Sequence, residues 1–404
     1  MKKGLFISLL FLSVTLFSQV YIKGKVTTSA NENLEGASVY LNNTTIGTTT
    51  DEKGEFNLKV EKGNFDLVVS FIGYTTSQLK INTNQKVDFL LFKLTPEANV
   101  LDEVVLRKTK YDNEWKYNLS RFKETFLGRA NLAKQCIILN PKVLHFEYNP
   151  KKNELTAFAR EPLIIKHKGL GYLIEYDLIN FSILGKYTFY SGYTKYQNLK
   201  KRIKKKWKQN RLEAYNGSTM HFLRSLLNKN LTKEGFLINQ FKRELNPERP
   251  SETQIKKARE LIRFSRETIN FSKKITSPLT PLDSALVVSR KSSLPKYKDY
   301  LYKRNVSNNE MISFSKNTPY LDFANHLSII YKNEKEEDNY LNGMFGKRKK
   351  ATGVQTSSIS LTNGKSIIDI AGILIDPNAI ISEGYWSYES FANALPLDYK
   401  PNKN

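Results

Sequence analysis

Cysteine is nearly absent from this chain of 404 residues, in which Cys136 is the only one. An intramolecular disulfide is therefore excluded, and a chain of this length can bury a core large enough to be stable without one. Cys136 opens the apolar run at 136–139. We expect its thiol to be a buried, small hydrophobic group and not a nucleophile.

Histidine is also scarce, with four residues in the chain. A zinc carboxypeptidase uses a His and a Glu three positions later to place two ligands on one metal ion. The residues three positions after the four histidines are Tyr148, Leu170, Arg224 and Ile329, and none of them is acidic. The sequence therefore predicts no zinc site, and it suggests no other metal or cofactor.

Other enzyme motifs are missing too. The sequence has no Gly-x-Ser-x-Gly and no phosphate-binding loop, and the Gly-Leu-Gly at 169–171 is predicted to be a turn. A glycosidase needs only two carboxyl groups a few ångströms apart. Glu161, Glu175 and Asp177 are the candidates for such a pair, with scattered surface acids as the alternative. We predict a non-enzymatic protein and keep as the alternative a hydrolase that acts on cell-envelope polymers.

Long hydrophobic runs are confined to the start of the sequence. Lys2 and Lys3 precede an apolar stretch at 5–17, and Ser18 and Gln19 offer a cleavage point, which predicts a secretory signal peptide over 1–18. The stretch is too short to span a bilayer core of roughly 30 Å. We therefore expect an exported protein that resides in the periplasm, at the outer membrane or on the cell surface.

Acidic residues are few for this length, with 39 Asp and Glu against 63 Lys and Arg. Residues 20–94 hold equal numbers of basic and acidic side chains, so nearly all of the positive excess lies beyond residue 94. A basic surface on an exported protein favours lipid headgroups, lipopolysaccharide or an acidic polysaccharide as partners before nucleic acid. A general bias of the composition toward Lys and Asn is the alternative explanation.

Short alternating segments fill residues 20–94. Phe56, Leu58 and Val60 are expected to face a core, as are the apolar residues of 39–41 and of 89–91. Glycines and turn residues separate the segments, for example at 51–54 and 62–63. About seven short strands in this space predict an antiparallel β-sandwich.

Four ordered motifs in this region resemble the carboxypeptidase regulatory-like domain, which has a transthyretin-like fold. They are Gly-Lys-Val at 24–26, Leu-Glu-Gly-Ala-Ser-Val at 34–39, Gly-Thr-Thr-Thr-Asp at 47–51 with Gly54 and Phe56, and Phe-Ile-Gly-Tyr at 71–74. The resemblance implies a non-catalytic accessory module of exported or outer-membrane proteins of Bacteroidetes-type bacteria. It implies no peptidase activity.

The hexapeptide Leu-Asp-Glu-Val-Val-Leu at 101–106 is similar to the segment that follows this module in TonB-dependent receptors. Those receptors continue into a plug and a large barrel, whereas about 300 residues remain here without the series of alternating strands that a barrel needs. The hexapeptide is therefore predicted to be a strand or linker within 95–114. A role as accessory to a TonB-linked uptake system stays open.

The rest of the chain predicts a larger α+β region. A helix is expected over 115–133, with strands at 163–167, 172–178 and 187–193. Further helices are expected near 200–214 and 219–229, the second capped by Ser218 or Thr219. We divide this part into an α+β region at 115–245, a helical or linker segment at 246–284 and a β-rich region at 285–404. Strands are expected in the last region near 285–289, 311–315, 326–331, 357–361 and 366–375.

Two features of this region suggest binding. The aromatic residues at 187–196 would form a carbohydrate platform if they were exposed, and a packed core if they were not. The basic run at 200–208 favours an anionic glycan or headgroup, with a solvated helix face as the alternative. The predicted binding residues are Tyr190, Tyr193, Tyr196, Lys204, Lys205, Lys206, Trp207 and Lys208. The expected partner is an envelope protein or an anionic glycan such as lipopolysaccharide, with peripheral contact to the membrane.

Overall fold

The computed structural model describes residues 20–96, 110–185, 187–265, 275–277, 280–343, 353–376 and 378–401. The predicted signal peptide, the hexapeptide at 101–106 and most of the predicted linker lie outside these residues. Within them, an N-terminal β-sandwich is followed by a larger α+β region that contains three further sheets. The predicted fold class is therefore confirmed.

Seven strands form the sandwich: β1 (Val20–Thr28), β2 (Ser38–Leu41), β3 (Gly47–Thr49), β4 (Glu55–Val60), β5 (Asn64–Ser70), β6 (Ser77–Asn82) and β7 (Leu90–Leu94). One sheet has the order β4–β1–β7 and the other β3–β2–β5–β6. The predicted alternation holds in β4, where Phe56, Leu58 and Val60 are buried and the residues between them are exposed. The core of the sandwich lies between the two sheets.

Strand β7 departs from the predicted pattern. Phe89 and Leu91 were expected to face the core, but Leu91 is 73% exposed and its neighbour Phe92 is buried. The register explains this, because β7 runs parallel to β1 and places Phe92 beside Val26 and Leu91 beside Lys25. The prediction of a wholly antiparallel sandwich is therefore wrong for this pair of strands.

The next part packs one helix against a six-stranded sheet. Helix α1 (Asn113–Phe126) begins at Asp112, whose carboxylate accepts the N–H of Trp115 at 3.0 Å. The sheet has the order β8–β11–β12–β10–β9, and β13 pairs with β12. Its strands are β8 (Cys136–Ile138), β9 (Leu144–Asn149), β10 (Glu154–Ala159), β11 (Leu163–His167), β12 (Tyr172–Leu184) and β13 (Tyr187–Asn198).

Helix α1 is shorter than the predicted span. It ends before Gly128, which has a φ of 91° and lies against the backbone of the C-terminal segment. A Cβ at position 128 would lie 2.4 Å from the carbonyl oxygen of Glu389. The close approach of a distant segment therefore ends the helix, which local periodicity does not reveal.

Two helices then lead into the last sheets: α2 (Lys205–Tyr215) and α3 (Thr219–Leu227). The Ser218 hydroxyl accepts the N–H of His221 at 3.1 Å, which confirms the predicted cap of α3. One sheet has the order β15–β14–β18–β19–β22 and a smaller one the order β16–β17–β20–β21. Their strands are β14 (Phe236–Leu245), β15 (Tyr297–Lys303), β16 (Ile312–Ser315), β17 (Thr318–Leu321), β18 (His326–Lys335), β19 (Val354–Leu361), β20 (Ser366–Asp369), β21 (Ile373–Leu374) and β22 (Ile380–Gly384).

Helices α4 (Glu252–Phe264) and α5 (Pro281–Lys291) lie between β14 and β15 and pack against each other. The predicted strand at 285–289 is wrong, because these residues belong to α5. The Thr280 hydroxyl accepts the N–H of Asp283, and Pro281 opens the first turn, which together start a helix. Ala285 and Leu286 are buried, so this short apolar run forms the packed side of a helix.

The C-terminal segment, residues 385–400, includes helix α6 (Tyr385–Glu389) and closes the larger region. Trp386 belongs to the core beneath α3. The ring of Phe391 stacks on that of Phe126 in the core beneath α1, with 4.7 Å between the ring centroids. The N–H of Leu397 donates to the carbonyl oxygen of Asn43 in the sandwich at 2.7 Å. This segment therefore holds three parts of the molecule together.

Candidate basic cleft

The basic run at 200–208 lies at the start of α2, and Trp207 anchors this helix. The Trp207 indole is buried and donates its N–H to the carbonyl oxygen of Lys168 at 3.0 Å. It packs on Gly171, in the turn predicted at 169–171, where a Cβ would lie 2.2 Å from the ring. Glycine is required here, since its φ of 73° also disfavours other residues. With the indole turned inward, the neighbouring lysines are left exposed.

A cleft of about 740 Å³ opens between α2, the end of β13 and the C-terminal segment. The side chains of α2 that line it are three or four positions apart and share one helix face. We call it the basic cleft, and its polar lining includes Thr45, Asn198, Lys205, Lys208, Gln209, Arg211, Asp398 and Lys400. The sandwich contributes Thr45, so both parts of the molecule form the cleft.

Arg211 is the most buried cation of this cleft. Its guanidinium lies over the ring of Tyr172, 3.8 Å from the ring centroid. It donates to the carbonyl oxygen of Leu170 at 2.8 Å and to the side-chain oxygen of Asn198 at 2.8 Å. Burial lowers the pKa of Arg211, but a guanidinium stays charged in proteins. These acceptors are all neutral, and the charge of Asp398 acts on the guanidinium from the same cleft.

Asp398 is the one carboxylate among the residues that line the basic cleft. It accepts the backbone N–H of Thr45 at 2.9 Å and also the Thr45 hydroxyl. Lys400 forms an exposed ion pair with Glu61 of the sandwich at 3.0 Å. Lys205, Lys208 and Arg211 therefore outnumber the acidic groups of the cleft, which favours an anionic ligand.

The predicted tyrosines do not form one binding surface. Tyr196 is only 2% exposed and belongs to the core beneath α1. The ring of Tyr190 packs against Phe126, with 5.1 Å between centroids. The Tyr193 hydroxyl donates to the side-chain oxygen of Gln78 at 2.7 Å, across the contact with the sandwich. Packing and domain contact occupy these three residues, so the structure does not place them at the cleft.

The predicted basic residues are placed differently from one another. Lys205 and Lys208 line the basic cleft, whereas Lys206 is exposed but does not line it. The Lys204 ammonium lies 5.2 Å from the centre of a Trp207 ring, outside the cleft lining. Trp207 itself is a buried anchor and is not available to a ligand.

Sequence reasoning did not select Arg211, Asn198, Asp398 or Thr45 as binding residues. The spacing of Arg211 was an available signal for its position. Arg211 follows Trp207 by four residues, about one helical turn, so the two side chains lie on the same side of the helix. The other three come from a strand end, the C-terminal segment and the sandwich. Only the tertiary structure brings them to α2.

The acids proposed for a hydrolase are engaged elsewhere. Glu175 lies 3.6 Å from the Lys195 ammonium, and Asp177 accepts the Thr76 hydroxyl at 2.9 Å. Burial raises the pKa of Asp177. These two carboxylates share the β12 face that contacts the sandwich, while Glu161 is exposed in the loop between β10 and β11. They belong to the domain contact and not to an open site.

Other carboxyl groups lie at the end of β18 and in α6. Glu334 accepts from the side-chain amides of Asn216 at 3.1 Å and Gln355 at 3.0 Å. Burial raises the pKa of Glu334 to about 7. Burial first, and then the charges of Glu334 and Glu337, raise the pKa of Glu389 well above its ordinary value. None of the three lines the basic cleft.

Burial shifts the pKa values of Cys136 and His167 away from neutral pH. Cys136 is half-buried, and burial raises the pKa of its thiol to about 12, which disfavours the nucleophilic thiolate. Burial also lowers the pKa of His167 to about 4. Among the described residues, no group of three or more His, Cys, Asp and Glu side chains is placed to hold a metal ion.

Comparison with known proteins agrees with the motifs of the sandwich. Residues 22–106 match the CarboxypepD_reg-like domain family, so the chain contains this domain and the resemblance is confirmed. Over 115 residues the chain is 37% identical to the TonB-dependent receptor SusC of Bacteroides thetaiotaomicron, a match that covers 26% of this chain and 11% of the receptor. Over 98 residues it is 34% identical to the TonB-dependent receptor P26 of Formosa agariphila, a match that covers 24% of this chain and 9% of the receptor.

These similarities concern a small part of each receptor, since the chain spans about a tenth of their length. A crystal structure of a DUF3823 family protein from Bacteroides ovatus is 10% identical and covers 46% of this chain and 83% of that one. Its TM-score of 0.17 is too low to carry an argument. None of the helices in the described ranges combines the length and hydrophobicity that crossing a bilayer requires.

Proposed function

We propose that this chain is a non-enzymatic, exported protein of the cell envelope that binds an anionic glycan or lipid headgroup in the basic cleft. The observation that carries this proposal is the charge of that cleft. Lys205, Lys208 and Arg211 face it together, and its one carboxylate, Asp398, is already bonded to Thr45.

A concave site favours this interaction over a flat basic surface. Low-dielectric walls limit the screening of the charges by water, and they raise the local concentration of a ligand of opposite sign. Arg211 at the floor suits a phosphate, sulfate or carboxylate, because its planar guanidinium forms strong hydrogen bonds to such groups. The lysines at the rim add long-range attraction that salt weakens.

The sandwich acts in this proposal as an accessory module. It adds Thr45 to the wall of the cleft and orients Asp398 through two hydrogen bonds. The resulting site depends on the docking of the sandwich against the larger region. This is a structural role, in accord with the non-catalytic role that the sequence resemblance implies.

Direct binding tests the proposal. Lipopolysaccharide, heparin, and vesicles with or without phosphatidylglycerol are titrated against the protein and against a Lys205→Glu, Lys208→Glu variant, at low and moderate salt. We expect binding to an anionic probe that weakens with salt and falls at least about tenfold in the variant, which is about 1.4 kcal/mol. The control is Lys151→Glu, Lys152→Glu, which makes the same charge change in an exposed turn.

Equal loss in both double variants would indicate general charge attraction and would overturn the role of the cleft. Binding that resists salt, or a protein partner captured instead of a glycan or lipid, would also contradict the proposal.

A role as accessory to a TonB-linked uptake system is the second candidate. It is favoured by the curated relatives, since they are TonB-dependent receptors that carry the same CarboxypepD_reg-like domain. Co-purification with a receptor barrel from outer membranes would support it. Loss of that co-purification when the sandwich alone is deleted would assign the contact to this domain.

A further inference from the structure

A second groove, of about 720 Å³, separates the start of β13 from β22. It lies on the larger region, and its lining shares no residue with the basic cleft. We call it the aromatic groove. Its lining includes Thr125, Tyr187, Phe189, Ser382, Trp386 and Ser387.

Two aromatic rings are exposed along one side of the aromatic groove. Tyr187 is 39% exposed and Phe189 is 42% exposed. They are two positions apart on β13, so both project from the same face of the strand. Their ring centroids are 6.5 Å apart and their planes are inclined by 36°. Neighbouring exposed rings inside a concave surface mark a binding site more than a packing role.

The strand that carries these rings is held firmly. Tyr190 also lines the groove, but its ring packs against Phe126 and its hydroxyl lies 3.3 Å from the Ser390 hydroxyl. Phe189 pairs with Ser182 in the ladder between β12 and β13. The rings therefore stand on a fixed strand, which lowers the entropic cost of binding.

The rest of the lining combines apolar residues with hydroxyl groups, and its two arginines are balanced by two glutamates. Ser382 and Ser387 offer hydroxyl groups that can both donate and accept hydrogen bonds, whereas the Thr125 hydroxyl already donates to the carbonyl oxygen of Arg121 at 2.9 Å. Arg129 lies 3.9 Å from Glu124, and Glu383 is paired with Arg243 at 2.8 Å. A polyanion gains little from such a lining, whereas a ligand with many hydroxyl groups finds suitable partners.

A ligand that fits this groove needs an apolar face for the aromatic rings and polar groups for the hydroxyl groups of the lining. Pyranose rings have both, since they combine an apolar C–H face with a rim of hydroxyl groups. We propose that the aromatic groove binds two consecutive pyranose rings of a linear glycan, with one ring on Tyr187 and the next on Phe189. The inference rests on the proposed function for its class of ligand, a glycan. It goes beyond the proposed function by assigning a second site, separate from the basic cleft, where sugar rings are bound by stacking on aromatic side chains.

Binding of linear hexasaccharides tests this proposal. One arm of the experiment uses neutral β-1,4-linked glucose and mannose oligosaccharides, and the other arm uses oligosaccharides of uronic acids. Binding is measured by calorimetry with the full chain in 0.5 M NaCl, which suppresses attraction by the basic cleft. We expect binding in at least one arm. Tyr187→Ala and Phe189→Ala should each weaken it about tenfold or more, while Phe189→Trp retains it. Phe158→Ala is the matched control, because Phe158 is 40% exposed on the same sheet outside the groove.

The outcomes separate the two proposals. Loss in the groove variants with full binding in the Lys205→Glu, Lys208→Glu variant supports the aromatic groove, even if the basic cleft fails its own test. Absence of binding in both arms, or unchanged binding in both alanine variants, overturns the groove whatever the cleft does. Cleavage of the oligosaccharide that stops in Glu383→Gln would also overturn it, in favour of the hydrolase.

Discussion

The sandwich and the larger region are stabilised in different ways. In the sandwich, the core is assembled by short strands that follow one another within 20–94, and among the described residues all of its members come from this range. In the larger region, the C-terminal segment completes cores whose other members lie far earlier in the chain. Phe391 packs into the core beneath α1, and Trp386 into the core beneath α3.

This difference indicates where each part is vulnerable. The C-terminal segment contributes side chains to two cores of the larger region, so substitutions in it weaken those cores. It touches the sandwich only where the two parts of the molecule meet, so the core of the sandwich keeps its contacts. All three tryptophans, Trp115, Trp207 and Trp386, lie in the larger region, so their fluorescence reports its unfolding alone. Amide hydrogen exchange in β1 reports the sandwich separately.

The largest effect is expected for Phe391→Ala. Phe391 is buried, and its ring lies 4.7 Å from that of Phe126 and 5.1 Å from that of Tyr176. Removing a buried Phe leaves a cavity and costs about 3–5 kcal/mol of the free energy of unfolding. Urea titration followed by tryptophan fluorescence measures this loss, and exchange in β1 should stay unchanged.

Phe314→Ala is the control for this substitution. Because Phe314 is 61% exposed, its removal should change the free energy of unfolding only slightly. If Phe391→Ala destabilised the sandwich as much as the larger region, the two parts would unfold as one unit. The comparison between them would then be wrong.

A smaller effect is expected for Asp398→Ala, which weakens the contact between the two parts. The substitution leaves the Thr45 amide without its acceptor and costs about 1–3 kcal/mol of docking free energy. The amides of Asn43 and Tyr196 also bond across this contact, to Thr194 and Thr44, and the variant leaves those groups intact. We expect about tenfold faster hydrogen exchange or more at these two amides.

Asp88→Ala serves as the comparison, since Asp88 is an exposed carboxylate on the sandwich. Unchanged exchange at both amides in Asp398→Ala would show that the docking does not depend on this residue.

The smallest effect is a dependence on pH that is confined to the larger region. Because the pKa of Glu334 in the folded chain, about 7, is above its ordinary value of 4.5, the protonated carboxyl stabilises the fold at low pH. That contribution is complete below about pH 4.5 and is lost as the pH rises through 7. Burial is the largest cause of this shift, and the charge of Glu213 raises the pKa of Glu334 further. We expect the free energy of unfolding to fall by about 1–2 kcal/mol between pH 5 and pH 8, after allowance for partial exposure to solvent.

Glu334→Gln should flatten this dependence in the fluorescence-detected urea titration and stabilise the protein at pH 8. Glu147→Gln, at an exposed position, is the matched control. A pH profile that stays as steep in Glu334→Gln as in the unmodified chain would assign the effect to other groups.

Much of the fold could be predicted from local pattern. The alternation in β4, the cap of α3 at Ser218 and the strand at 163–167 depend on residues close in sequence, and the structure has all of them. The strand predicted at 285–289 was wrong although the helix start at Thr280 and Pro281 is local, and two other errors occurred where distant packing decided the outcome. Helix α1 ends early against the backbone of Glu389, and Leu91 faces outward because β7 pairs with β1 in parallel.

The candidate site was predictable only in part. A dense run of lysines was visible, and Lys205 and Lys208 do line a cleft. The sequence did not reveal that Trp207 turns inward while Arg211 forms the floor. It also did not distinguish Tyr196, which is buried, from Tyr187, which is exposed, because aromatic residues in a strand suit either environment.

The sequence by itself determined the accessory domain and its core, because period-two alternation and turn residues act between neighbours in the chain. It also determined the sign of the charge beyond residue 94. The tertiary structure alone decided which side chains form the basic cleft, since Thr45, Arg211 and Asp398 come together only when the C-terminal segment packs against both parts of the molecule. Distances between residues far apart in sequence follow from the packing of whole elements, which no local pattern specifies.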